Sequence, residues 1–129
     1  MRDWSAVPYP AWWLARAAER RRELDDAVGA IRRAVRTSPQ LVGVLVFGSY
    51  ATGHVGPESD LDLMVVTTLP LDPVDSGARY LHVRRLLALS VPSDVIVYAP
   101  DEFERLRRER AFVAQAWREG IWIDATSSG

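Results

Sequence analysis

The sequence predicts an α/β fold: a small mixed β-sheet with helices packed on it. Three observations carry that expectation. Apolar, branched runs of strand length recur at residues 41–47, 60–67 and 93–98. Segments with apolar residues three and four apart lie before, between and after them. Glycine and proline gather in the connectors, as at residues 48–59 and 69–76.

Taken in order, residues 1–10 read as irregular, with Pro8 and Pro10. Residues 11–36 read as a helix. Leu24, Val28, Ile31 and Val35 form its apolar stripe, arginines and acids fill its other faces, and Pro39 marks its end. Residues 41–47 read as a buried strand. Residues 48–59 read mostly as loop, with room for a short helix from Ser49. Residues 60–67 form a second strand, with Leu61, Leu63 and Val65 on one face and Asp60, Asp62 and Met64 on the other. A proline-rich connection leads to a helix over residues 77–89, with Leu81, Arg84, Leu87 and Ala88 near one face. Residues 93–98 are a third strand. Pro100-Asp101-Glu102 opens one long last helix, its acids placed where the macrodipole favours them. Phe103, Leu106, Val113 and Trp117 make its stripe, Gly120 is expected at its C′ position, and residues 121–124 close the chain as a short strand. We expect one domain over residues 1–129, with 1–40 a helical extension and 41–124 the core.

Composition narrows the function. The 129 residues, 48% hydrophobic, suffice for an ordinary core. With no cysteine, disulfides and thiolate metal sites are excluded. No apolar run approaches a membrane span, and Met1-Arg2-Asp3-Trp4-Ser5 lacks a signal-peptide layout. The expected location is the cytoplasm. A net charge of −1 gives no global field for nucleic acid, and none is expected as a direct partner. The basic residues are all arginine.

The chemistry concentrates between Gly48 and Asp62. Gly48-Ser49 closes one apolar run, and ten residues later Asp60-Leu61-Asp62 opens the next. Alternation puts Asp60 and Asp62 on one face of a strand, roughly 6.5–7 Å apart. Unpaired, two such carboxylates repel. Divalent cations resolve the conflict, and hard oxygens suit Mg²⁺, which binds through one or two carboxylates plus substrate phosphates. Gly48 lets the backbone approach a phosphate. Ser49 offers a hydroxyl and a cap for a short helix whose N–H groups favour anions. Asp94, at the start of the third strand, is the candidate third carboxylate, as metal ligand and as base for an incoming hydroxyl. Asp124 is the fallback.

At these residues the chain resembles the minimal nucleotidyltransferases of the DNA polymerase β superfamily. Their signature of Gly-Ser, ten residues and Asp-x-Asp stands here as Gly48-Ser49, Asp60 and Asp62, and their third aspartate matches Asp94. The resemblance runs from Leu41 to Asp124. It implies a polymerase-β-like fold, ATP as substrate, and Mg²⁺, two ions, held by Asp60, Asp62 and Asp94. Many of these proteins are antitoxins paired with HEPN-domain ribonuclease toxins. The resemblance therefore implies transfer of AMP to a tyrosine hydroxyl of such a partner. One position departs: Thr52 stands where the family often has arginine.

Two other readings stay open at this point. One is an enzyme acting on a small molecule of aminoglycoside type, for which 129 residues leave little room. The other is an antitoxin that acts by binding alone. Several tempting residues have plainer roles. His54 reads as a solvated loop histidine and His82 as a structural helix residue. Arg105, Arg107, Arg108 and Arg110 interleave with Glu102, Glu104 and Glu109 as a solvated helix face, with Glu104 and Arg108 an i,i+4 pair. Trp4, Tyr9, Trp12 and Trp13 suit either a partner surface or packing onto the chain's own sheet.

Overall fold

The computed structural model describes residues 9–75 and 77–126. Its elements run α1 (Ala11–Thr37), β1 (Leu41–Phe47), α2 (Ser49–Thr52), β2 (Leu61–Thr67), α3 (Ala78–Leu87), β3 (Ser93–Tyr98), α4 (Pro100–Glu109), α5 (Ala111–Glu119) and β4 (Ile121–Asp124). The four strands lie in the order β3-β2-β1-β4. The sheet is mixed, as expected: β1 is antiparallel to both β2 and β4, whereas β2 and β3 are parallel.

Two apolar clusters clamp the sheet. On one face Leu24, Val28 and Ile31 of α1 and Val83 and Leu87 of α3 meet Val44, Val46, Leu61, Leu63 and Val65. On the other, Phe103 of α4 and Val113 and Ala116 of α5 meet Leu45, Met64 and Val66. Covering on both faces explains why residues 44–46 and 63–66 are continuously buried rather than alternating. Each fully buried Leu, Ile or Val contributes roughly 1.5–3 kcal/mol. The second face is finished by aromatic rings. Phe103 stacks on Trp122 at 5.8 Å, Trp117 meets Trp122 edge-on at 5.4 Å, and the Arg107 guanidinium lies 4.7 Å over Trp117. Among the described residues no helix is long and apolar enough to cross a membrane.

The predicted stripe of α1 is buried as expected. Three expectations are corrected. The last helix is two, broken at Arg110, whose backbone is extended at φ −111° and ψ 120°. A single 20-residue helix would be ~30 Å long and overrun strands of about 23 Å; the break keeps both halves on the sheet. In α3 the buried residues are Val83 and Leu87, and Leu81 is 52% exposed. Gly120 is not left-handed (φ −84°, ψ 175°). It is glycine because a Cβ would stand 2.5 Å from the Ala116 carbonyl oxygen and 2.8 Å from Leu45 Cδ1.

Candidate active site

Three strand ends converge at one place. β1 runs antiparallel to β2, so its last residue, Phe47, pairs with Asp62 near the start of β2. β2 and β3 are parallel and start together, which sets Asp62 opposite Asp94. Adjacent strands are about 4.8 Å apart, so the two carboxylates are neighbours, and Asp94 lies within hydrogen-bond reach of Asp62. Leu61 N–H donates to the Pro92 carbonyl at 3.2 Å and pins the two starts together. Strand β2 therefore begins at Leu61, and Asp60 stands exposed one residue ahead of it.

Asp62 is half-buried and Asp94 exposed. Burial raises the Asp62 carboxyl above its usual range, and the nearby charges of Asp94 and Asp60 raise it further. A carboxylate pushed in this direction by like charges is one that a divalent cation would relieve.

Gly48 turns the chain from β1 into α2 with φ +75° and ψ −152°, a region that residues with a Cβ rarely adopt. A Cβ at that position would also run into the Asp62 carboxylate. Glycine is thus required both by the turn and by the nearness of Asp62. Gly48, not Ser49, takes the cap position of α2, with no side-chain cap bond, and Ser49 is the first helical residue. This corrects the expected capping role of the serine: Gly48 lies against Asp62, whereas Ser49 is not among the residues that line the groove beside it. Gly53 ends α2 in the left-handed conformation, and His54 N–H bonds back to the Ser49 carbonyl at 2.9 Å.

A groove of about 500 Å³ opens over these groups. The strand side supplies Phe47, Gly48, Asp62, Asp94 and Ile96; helix α5 supplies Phe112, Gln115, Ala116 and Glu119. Among the described residues its lining holds three carboxylates and no arginine. Among the described residues no three His, Cys, Asp or Glu side chains form a metal-holding group by themselves. Asp62 and Asp94, with Asp60 beside them, nevertheless fit Mg²⁺, whose coordination is commonly completed by substrate phosphates.

The remaining candidates lie elsewhere. Asp124 is on the opposite edge strand and pairs with Gly43, towards the far end of β1; it accepts bonds from Trp122 Nε1 and Thr126 N–H, both at 2.9 Å. Thr52 is exposed and its hydroxyl donates back to the Gly48 carbonyl at 3.2 Å. His54 contacts Thr52 Oγ1 at 3.0 Å and is exposed, as expected. His82 is exposed rather than structural. The predicted Glu104–Arg108 pair is present at 3.4 Å, but Arg107, bonded to Glu104 at 2.7 Å, departs from the expected solvated face by lying part-buried over Trp117. Of the N-terminal aromatics, Trp4 lies outside the described residues, Tyr9 stacks on Trp13 at 4.0 Å, and Trp12 is 67% exposed. Ile96, Phe112, Gln115 and Glu119 also line the groove and belong to no motif of the sequence. Ile96 follows Asp94 by two on the same strand face, which the alternation could have shown. The helix residues depend on how α5 docks, which leaves no local signal.

Residues 28–117 match the family model described as the nucleotidyltransferase domain. The chain belongs to that family. No curated protein matches it. Among solved structures it is similar to a candidate nucleotidyltransferase from Sulfolobus solfataricus, at 18% identity over 91% of this chain and 90% of that one, with a TM-score of 0.51. That likeness supports the same fold. A mutant of the toxin-antitoxin complex MntA-HpeT aligns at 18% identity over 80% of this chain and 73% of that one, with a TM-score of 0.40.

Proposed function

We propose that this chain is a Mg²⁺-dependent nucleotidyltransferase that moves AMP from ATP to a hydroxyl on a partner protein, as the antitoxin of a HEPN toxin pair. The observation that carries the catalytic part is Asp62 held beside Asp94 and against Gly48, like charges gathered where only a cation or a proton relieves them. The partner assignment rests on the resemblance of Gly48-Ser49, Asp60, Asp62 and Asp94 to the minimal nucleotidyltransferases.

In this reading Gly48 and Ser49 hold the triphosphate at the end of β1. Asp60, Asp62 and Asp94 would hold Mg²⁺, which supplies charge neutralisation and orientation of the phosphates when bound. Asp94 takes the proton of the acceptor hydroxyl. The hydroxyl oxygen bonds to the α-phosphorus, the bond to the β-phosphate bridge breaks, and pyrophosphate leaves with that electron pair. Ile96 and Phe112 give the groove an apolar wall.

A second reading, neutralisation by binding alone, is favoured by two observations: Thr52 is turned back onto Gly48, and among the described residues no basic side chain lines the groove. One experiment separates the two. The chain is incubated with labelled ATP, Mg²⁺ and the product of the neighbouring gene. Label on that product, lost in Asp60→Ala and Asp62→Ala, supports transfer. Neutralisation that survives both substitutions without label sinks it.

A further inference from the structure

The short helix beside the carboxylates cannot orient itself. At four residues α2 is far below the length at which a helix holds its own shape. Tyr50 is its single buried residue, 8% exposed. The phenol donates a 2.6 Å hydrogen bond to Asp25 Oδ1 of α1, a charge-assisted contact. Arg21, one turn earlier, lies 4.9 Å over the Tyr50 ring and 3.6 Å from the same Asp25 oxygen. Further along the loop Arg20 Nε donates to the Pro57 carbonyl at 3.3 Å. The Trp13 indole lies against Gly56, where a Cβ would stand 3.3 Å from Cζ2. Helix α1 thus grips residues 48–59 at both ends.

We propose that Tyr50 and Asp25 are positioning residues: they lock the Gly48–Ser49 turn onto α1 and keep it in the form that receives phosphate. The role in transfer rests on the function proposed above; the lock itself does not. Burial and the Asp25 carboxylate push the Tyr50 phenol up to about 12, so it stays a donor throughout the physiological range. A lock that sets the fraction of competent loop changes apparent affinity rather than the bound-state rate.

The test compares the full chain with Tyr50→Phe, Asp25→Asn and, as a stability control, Val35→Ala. Val35 is buried on the same helix, about 15 Å beyond Asp25. Tyr50→Phe is expected to speed amide exchange over residues 49–52 about tenfold and to raise the KM for MgATP about tenfold, with kcat within about twofold. Asp25→Asn retains an acceptor and recovers part of both effects. Val35→Ala lowers Tm without moving either. Unchanged exchange in Tyr50→Phe, or an equal KM rise in Val35→Ala, overturns the proposal. Wild-type protein that binds no MgATP overturns the proposed function, and the exchange readout, which needs no nucleotide, decides the lock separately.

Discussion

Asp62→Asn should make the metal-free protein more stable. The substitution keeps the shape and deletes a charge that faces Asp94 across adjoining strands, with Asp60 beside it. Two unit charges about 5 Å apart repel by roughly 3 kcal/mol at an effective dielectric of 20 and by about 0.8 kcal/mol in water. Asp62 is half-buried and Asp94 exposed, so the screened end of that range applies. The expected gain is about 1 kcal/mol, or about 3–5 °C in Tm for a chain of this size. The pH dependence fixes the sign. The folded-state pKa of Asp62 is raised, so the folded chain holds this proton more tightly than the unfolded chain does. Its contribution is fully present below the unfolded pKa near 4 and is lost as pH rises through the folded value. The gain from asparagine is therefore full at neutral pH and closes under acid. Thermal unfolding in EDTA at pH 7.5 and pH 4 measures both. Mg²⁺ should raise the wild-type Tm and leave the variant nearly unmoved. A variant less stable than wild type at pH 7.5, or a gap that widens under acid, refutes the reasoning.

Three further outcomes are expected. Among the described residues the groove lining carries three carboxylates and no arginine, so EDTA should weaken ATP binding at least about 100-fold by calorimetry, since the bare triphosphate is repelled by the uncompensated carboxylates. Gly48→Ala forces a Cβ into positive φ and against the Asp62 carboxylate; unfolding in urea should show a loss of about 1–3 kcal/mol, and nucleotide transfer should fall with it. In alkaline titration followed by tyrosinate absorbance, one phenol should ionise near 12 and be missing in Tyr50→Phe.

The strands were legible because each is a short apolar run between turn-forming residues, and β3 was read at its observed limits. The carboxylates were legible because their spacing is local: Asp60 and Asp62 differ by two, and Gly48-Ser49 must stand where a strand stops. The break at Arg110 was not, because nothing in Arg108-Glu109-Arg110-Ala111 disfavours helix; the sheet's length imposes it. The exposed side of α3 is hidden in the sequence for a related reason. Leu81 and Val83 are both apolar, and only the tilt of the helix on α1 decides which is buried. Tyr50 and Asp25 lie 25 residues apart, so their bond follows from docking of α1 and leaves no trace in either neighbourhood.

Register, rather than the aspartates, holds the site together. Leu63 pairs with Val95 and Val65 with Val97, and these side chains face the α1 cluster. A slip of β3 by one residue would turn Val95 and Val97 away from that cluster and move Asp94 to the opposite face of the sheet from Asp62. Full burial of two valines is worth roughly 3–6 kcal/mol. Partial burial here yields less, yet still more than the ~1 kcal/mol of carboxylate repulsion that would favour the slip. The apolar residues therefore force the two charges into contact, and the strain stays available for a cation to relieve. The same residues that make β2 and β3 a sheet set Asp62 and Asp94 side by side at the strand starts, where the proposed cation would bind.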